Sequence, residues 1–396
     1  MALSSDMIIV IIFFIAIFLI GIIDRKKIKL SDYWVNSRKT NKWVLIATMA
    51  STFVGTAALI STAGISFSGG GLATLLLMAS FLFYFILFAK FFAPKIKEFG
   101  DKYNAYTIPD FLEHRYSKKV RVAGLVVNLI IWSFFLALQI LGIGIFVNSI
   151  GNFNPFIATI IGAGIVIAYT SIGGLRADIR TDVFQFLVML LIILIFLPII
   201  IFKSRGFSVI SSLSGTFLSG REFAPMYLFI LGFLLLGATT ISSADVWQRA
   251  YASDSKKNVI WAMKVAGVII FLFLITGTLF GIYGKILIPD ATQNTVVPEL
   301  LKLFLPNILF GLIIAAFFAA IMSTADTVLL IMSMTVVHDL YQKTLNHKLP
   351  DKKILKISRW ITLILGLVAL IIALIIFNVV HIAIDAVSFF VVLLPT

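Results

Sequence analysis

The chain has 396 residues, of which 60% are hydrophobic and only 13% charged, with mean hydropathy +1.08. An ordinary soluble domain carries roughly a quarter charged residues, so a water-soluble globular domain is excluded. The absence of cysteine removes disulfides, thiolate metal sites and cysteine nucleophiles, while the formal charge of +14 poses a question that its distribution along the chain decides.

Apolar runs of about 20 residues suffice to cross roughly 30 Å of hydrocarbon at 1.5 Å per helical residue. Such runs predict eleven spans, at 7–23, 43–66, 71–93, 121–149, 154–172, 179–202, 225–246, 259–286, 306–337, 356–378 and 380–396. The first is read as a retained span and not a signal peptide, because no basic region precedes it and it runs into Arg25, Lys26, Lys27 and Lys29. With the N-terminus outside, the cytoplasmic loops and the span ends beside them carry 25 Lys and Arg against five on the outer side, with Lys264 and Arg359 further inside spans. That asymmetry is the signature of membrane topology, so the positive charge points to a multi-pass protein of the cell membrane and not to nucleic acid. Only about sixteen residues remain from His381, fewer than a complete span wants, so the chain is expected to be cut short at its C-terminus.

In chain order, the second run (ATMASTFVGTAALISTAGISFSGGG) is interrupted throughout by Ser, Thr and Gly. Such residues allow close helix packing, or supply oxygens that re-satisfy a helix broken within the membrane. Thr107–Tyr116 (TIPDFLEHRY), with a capping Thr and an early Pro, reads either as a short interfacial helix or as an ordinary loop. In GGLRADIRTDVFQFLVM, residues 173–189, Asp182 follows Thr181 just inside a predicted helix, where capping alone accounts for a carboxylate. Asp245 and Arg249, spaced i, i+4, are expected to make a simple surface pair.

In the ninth run, AAIMSTADTVLL places Ala320, Ser323 and Thr324 on one helical face. Two hydroxyls beside a backbone carbonyl suit a hard cation such as sodium without burying a full charge, although bonding back to the helix's own carbonyls is the commoner use. Asp326 and Thr327 continue that series from Ser323. An aspartate inside a span costs roughly 2.5–3.5 kcal/mol on insertion scales, so Asp326 must face a polar cavity or a basic partner. The four histidines show no metal-ligand spacing, no catalytic motif occurs, and Gly69–Gly71 lacks the lysine of a phosphate loop, which disfavours an enzyme or an ATP-driven pump.

Taken in order, the hydroxyl-rich second span, GGLRADIRTDVFQF, WQRAYAS and AAIMSTAD resemble the sodium:solute symporter family over nearly the whole chain. The resemblance implies an all-α, polytopic LeuT-type fold: an extra first helix (7–23), then two inverted repeats of five helices, about 43–202 and 225–396, the second apparently incomplete. It places breaks near Ser51 to Gly55 and near Gly237 to Ser243, close to the membrane midplane. By resemblance, the carbonyls of Ala50 and Phe53 join the Ala320 carbonyl and the Ser323 and Thr324 hydroxyls as ligands of a co-transported sodium ion. Some members hold a second sodium at the position of Asp182, so Ser323, Asp326, Thr327 and Asp182 are expected to form a second cation site or an exit relay.

The implied function is secondary active transport, coupling inward sodium movement to uptake of a small solute. Ala57, Thr239 and Thr240 depart from the family's sugar-binding pattern, so an amino acid or organic acid is expected in place of a sugar. Thr56, Gln139, Thr239, Ser242 and Ser243 are the candidate contacts, each also explicable as packing. The competing expectation is a membrane sensor that keeps the transporter fold and signals through a domain beyond residue 396. An ion channel fits less well, since no selectivity-filter pattern occurs.

Overall fold

A computed structural model describes residues 5–22, 34–151, 153–171, 175–345 and 349–392. Arg25, Lys26, Lys27 and Lys29, Gly173 and Gly174, and the end of the last predicted span lie outside them. The helices that matter for function are α1 (Ser5–Ile22), α2 (Lys42–Phe53), α3 (Thr74–Phe91), α4 (Ile108–Arg115), α5 (Lys118–Gly151), α6 (Pro155–Thr170) and α7 (Leu175–Leu191). They are followed by α8 (Met226–Leu235), α9 (Ala244–Ala252), α10 (Lys256–Leu287), α11 (Asn307–Met334), α12 (Asp351–Ile376) and α13 (Val379–Val392).

Among the described residues six helices are long and apolar enough to span a bilayer, or seven if Met226–Ser242 and Ala244–Ala252, bent by 46°, count as one. Ser5–Ile20 and Pro155–Ala168 are shorter apolar helices. The second and third predicted spans are separated by a turn at the expected boundary, and the second is itself interrupted. The chain breaks after Phe53 and then runs helically as Ala57–Phe91, with π-helical turns and a tight turn at Gly69 (φ 109°) and Gly71 (φ 45°). Those positive φ values are ones that glycine adopts without penalty.

At the centre stands α11, buried on every face from Ile313 to Met334, as expected of a helix apolar all round. It packs against α1, α2, α5, α7 and α12. The α2 helix starts where Asn41 accepts hydrogen bonds from Trp43 N and Val44 N, both at 3.1 Å. It ends at Val54 (φ −90°, ψ 71°). A Cβ on Gly55 would lie 2.5 Å from both Gln139 Oε1 and Thr324 Oγ1, so only glycine lets the chain cross α5 and α11 here.

Each break leaves backbone groups that a membrane interior cannot satisfy with bulk water, and a polar side chain from another helix meets them. At the first, Gln139 Oε1 on α5 accepts from Thr56 N at 2.9 Å. At the second, Gly237–Ser242 forms a 3₁₀ turn ending in extended Ser243. There Ser80 Oγ accepts from Gly237 N at 2.8 Å and donates to the Phe233 carbonyl. The segment Thr107–Tyr116 does contain a helix, α4, capped by Thr107 Oγ1 accepting from Asp110 N at 3.2 Å.

Candidate functional site

The two breaks enclose a mostly apolar cavity of about 290 Å³, near the lower bound of ordinary small-ligand sites. Thr52, Phe53 and Gly55 line it from the first break, Thr239, Ser243 and Asp245 from the second, and Gln139 and Thr324 from α5 and α11. Of the candidate solute contacts, Gln139, Thr239 and Ser243 are therefore brought together on its wall. Thr56 and Ser242 are not among the lining residues: Thr56 packs its side chain toward Gly142, and Ser242 Oγ donates to Thr239 O at 3.3 Å. Gln139 is also occupied with holding the break.

Beside the cavity the C-terminal end of α2 meets the middle of α11. Ser323 Oγ donates to Ser51 O (2.8 Å) and Ala320 O (2.9 Å), and Thr324 Oγ1 donates to Thr52 O (2.7 Å) and Ala320 O (3.3 Å). The Ala50 carbonyl accepts from Val54 N at 3.1 Å, while the Phe53 ring packs edge-on to Phe81 and Phe85. Carbonyls at a helix C-terminus lack intrahelical partners and carry the negative end of the dipole. The junction is thus an electroneutral cluster of oxygens, in which the Ser51 and Thr52 carbonyls of α2 meet the Ala320 carbonyl and the Ser323 and Thr324 hydroxyls of α11.

One helical turn away is a group that the sequence reading missed. Arg249, fully buried on α9, directs Nη2 at Thr327 Oγ1 (2.7 Å), Thr52 Oγ1 (2.9 Å), Asp178 Oδ2 (3.1 Å), Thr48 Oγ1 (3.2 Å) and Asp182 Oδ2 (3.2 Å). It is therefore no surface partner of Asp245, which is instead bonded by Ser243 Oγ at the start of α9 and faces the cavity. Asp182 sits well inside α7, beyond the first turn, so it does not cap the helix; it accepts from Thr48 Oγ1 as well as from Arg249. Asp326 is bonded by Thr170 Oγ1 of α6, whereas Ser323 turns to α2 and Thr327 to Arg249 and Asp178. Of the four residues expected to form one cation site, Asp182 and Thr327 therefore share Arg249, whereas Ser323 and Asp326 engage other neighbours. The signal for Arg249 was present in WQRAYAS, but its reach across three helices is a tertiary property.

Where α4 meets the π-helical continuation of α11 (Thr335–Thr344), the two are tied on the face that bears the basic loops. Asp110 accepts from Lys343 Nζ (2.5 Å) and Tyr106 N (2.8 Å), and Thr107 Oγ1 donates to Asp339 Oδ1 at 2.8 Å. Burial alone raises the Asp110 pKa, but the hydrogen bond and charge of His338 and the Lys343 ammonium outweigh it and hold the carboxyl well below its ordinary range. The sign follows: this depressed group contributes stability above its unfolded pKa of about 3.9 and loses it only as the pH falls toward the lower folded value.

The sodium:solute symporter family model matches residues 33–392. The high-affinity proline transporter PutP of Bacillus subtilis is 30% identical over 71% of this chain. The sodium/pantothenate symporter of Escherichia coli is 27% identical over 87% of the chain and 73% of its own length. The chain spans 62% of the length of the proline transporter. Among solved structures, a substrate-bound, outward-open Na⁺-coupled sialic acid symporter superposes with a TM-score of 0.81 at 18% identity, over 98% of this chain and 86% of that one, which shows the fold.

Proposed function

Because this chain belongs to the sodium:solute symporter family, and is no enzyme, we propose that it couples inward sodium movement to uptake of one small solute by alternating access. The observation that carries this reading is the convergence of the Ser51 and Thr52 carbonyls of α2 with the Ser323 and Thr324 hydroxyls, beside a cavity that Thr52 and Thr324 line. Sodium at Ala50, Phe53, Ala320, Ser323 and Thr324 would pin α2 to α11 and thereby shape the solute site, which is how one ligand raises affinity for the other. Residues 43–202 and 225–396 are read as the two inverted repeats after the first helix, with the N-terminus outside. Uptake into proteoliposomes is expected in sodium buffer and not in choline buffer. Equal uptake in both, with folded protein confirmed, would reject symport.

Asp245 narrows the solute. A carboxylate on the wall of an apolar cavity attracts an ammonium group and repels a molecule whose only charge is a carboxylate. The reading is therefore an amino acid, whose amine meets Asp245 and whose carboxylate takes donors left at a helix break. Similarity to a proline transporter supports it. Sodium-dependent thermal stabilisation is expected from proline or another small amino acid and not from its deaminated analogue. Asp245→Asn is expected to weaken that binding at least tenfold; unchanged affinity removes Asp245 from the solute site.

A second cation is read at Thr52, Asp178, Asp182 and Thr327. The Arg249 Nη2 group has two hydrogens but five oxygens within 3.2 Å, and Asp182 Oδ1 takes no hydrogen bond among the described residues. That excess of acceptors is a ligand sphere which the guanidinium fills in this conformation and a sodium ion fills when Arg249 withdraws.

A further inference from the structure

Asp110, His338 and Asp339 each offer a ligand atom, and these atoms lie within 4.8 Å of one another. All three residues are buried. Asp339 is fully buried, and while its Oδ1 is bonded by Thr107, its Oδ2 takes no hydrogen bond among the described residues. An unmatched buried carboxylate oxygen is costly, and such an atom calls for a cationic partner. The imidazole gives a second sign. His338 Nδ1 lies 3.4 Å from Gln342 Oε1 and Nε2 lies 3.3 Å from Asp110 Oδ2, so both ring nitrogens face oxygen acceptors. Protonated, the imidazole donates from both nitrogens, to Gln342 and to Asp110. Once Nε2 gives up its proton, as metal binding requires, its lone pair is aimed toward Asp110 while Nδ1–H stays on Gln342.

We propose that Asp110, His338 and Asp339 bind a divalent transition-metal ion of the zinc class, which staples α4 to the π-helical continuation of α11. One imidazole and two carboxylates form the mixed nitrogen and oxygen set that favours zinc over magnesium or calcium, which prefer all-oxygen shells. The ion takes the His338 Nε2 lone pair and the Asp339 Oδ2 charge, and water completes a tetrahedral shell. Gln342 then serves as the outer partner that orients a metal-bound histidine through its other nitrogen. Lys343 is the placeholder: its ammonium sits on Asp110 while its side chain remains 39% exposed, so its withdrawal opens a route from solvent. Arg121 is not a competitor, because its guanidinium is engaged by Glu113, Thr344 Oγ1 and the Asp339 main-chain carbonyl. The site stands independently of the sodium and solute reading.

Equilibrium dialysis of the purified chain against zinc chloride with millimolar magnesium, read by metal analysis, tests it. One zinc per chain is expected. Asp339→Asn, which keeps an acceptor for Thr107, and His338→Gln are each expected to weaken binding at least tenfold. His114→Gln, with an exposed imidazole, leaves it unchanged. Metal-free unfolding temperatures establish that the variants fold, and if His338→Gln does not, Asp339→Asn decides. Folded wild-type protein that takes up no zinc, or folded Asp339→Asn that binds it as tightly as wild type, overturns the site.

Discussion

Arg249→Ala is expected to be the most destabilising single substitution near the transport site. Arg249 is the basic residue paired with Asp178 and Asp182, at 3.1 and 3.2 Å, and all three are buried. Removing one partner of a buried ion pair leaves uncompensated charge, at a cost of about 3–5 kcal/mol, far more than any exposed pair contributes. The same loss leaves Thr48, Thr52 and Thr327 around a vacated space between two carboxylates. Sodium is therefore expected to restore the variant's unfolding temperature more than an equal concentration of choline does, by binding the folded state alone. Arg249→Lys, which keeps the charge but not the planar fork, should fall between the two. An unfolding temperature equal to wild type, or equal rescue by both salts, would show that the oxygens around Arg249 do not form a cation site.

The second large effect concerns coupling. In Ser323→Ala/Thr324→Ala the sodium concentration giving half-maximal uptake is expected to rise at least tenfold, with the maximal rate measured at saturating sodium. As a ligand of the proposed sodium ion each hydroxyl would contribute on the order of 1 kcal/mol or more, and about 1.4 kcal/mol is a tenfold change in affinity. Stability should fall too, because Thr324 satisfies the Thr52 carbonyl at 2.7 Å and Ser323 the Ser51 carbonyl at 2.8 Å. The control is Ser333→Ala on the same helix, where the lost hydroxyl bonds Ser358 O, away from the cavity. A sodium dependence that shifts equally in the control and the double variant would mean that general loosening of α11, and not a lost ion ligand, is responsible.

Much of the architecture is readable from local pattern. All eleven predicted apolar runs contain a helix in the structure, and both breaks fall where Gly, Ser and Thr interrupt a span. The reason is that hydrocarbon leaves the backbone no partner but itself, so an apolar run of that length folds as helix almost regardless of its neighbours. The i, i+3, i+4 geometry of a helix likewise places Ala320, Ser323 and Thr324 on one face before anything is known of what that face meets. Neighbours two helices away are a different matter. Asp245 and Arg249 are one turn apart in sequence, yet one looks into the cavity and the other into the Asp178 and Asp182 pair.

The sequence by itself determined that this chain crosses a membrane many times, which of its loops are basic, and which short stretches carry hydroxyls suited to a cation. These follow from length, charge distribution and helical periodicity, all of them local. Only the tertiary structure decided that Arg249 reaches five oxygens on three other helices, that Gln139 and Ser80 each repair a broken helix, and that Thr56 and Ser242 stay outside the cavity lining. It also brought Asp110 beside His338 and Asp339, more than two hundred residues along the chain. Those outcomes depend on where side chains from distant segments have room and which buried polar groups must be satisfied, and such pairings are set by packing in three dimensions and not by spacing along a helix.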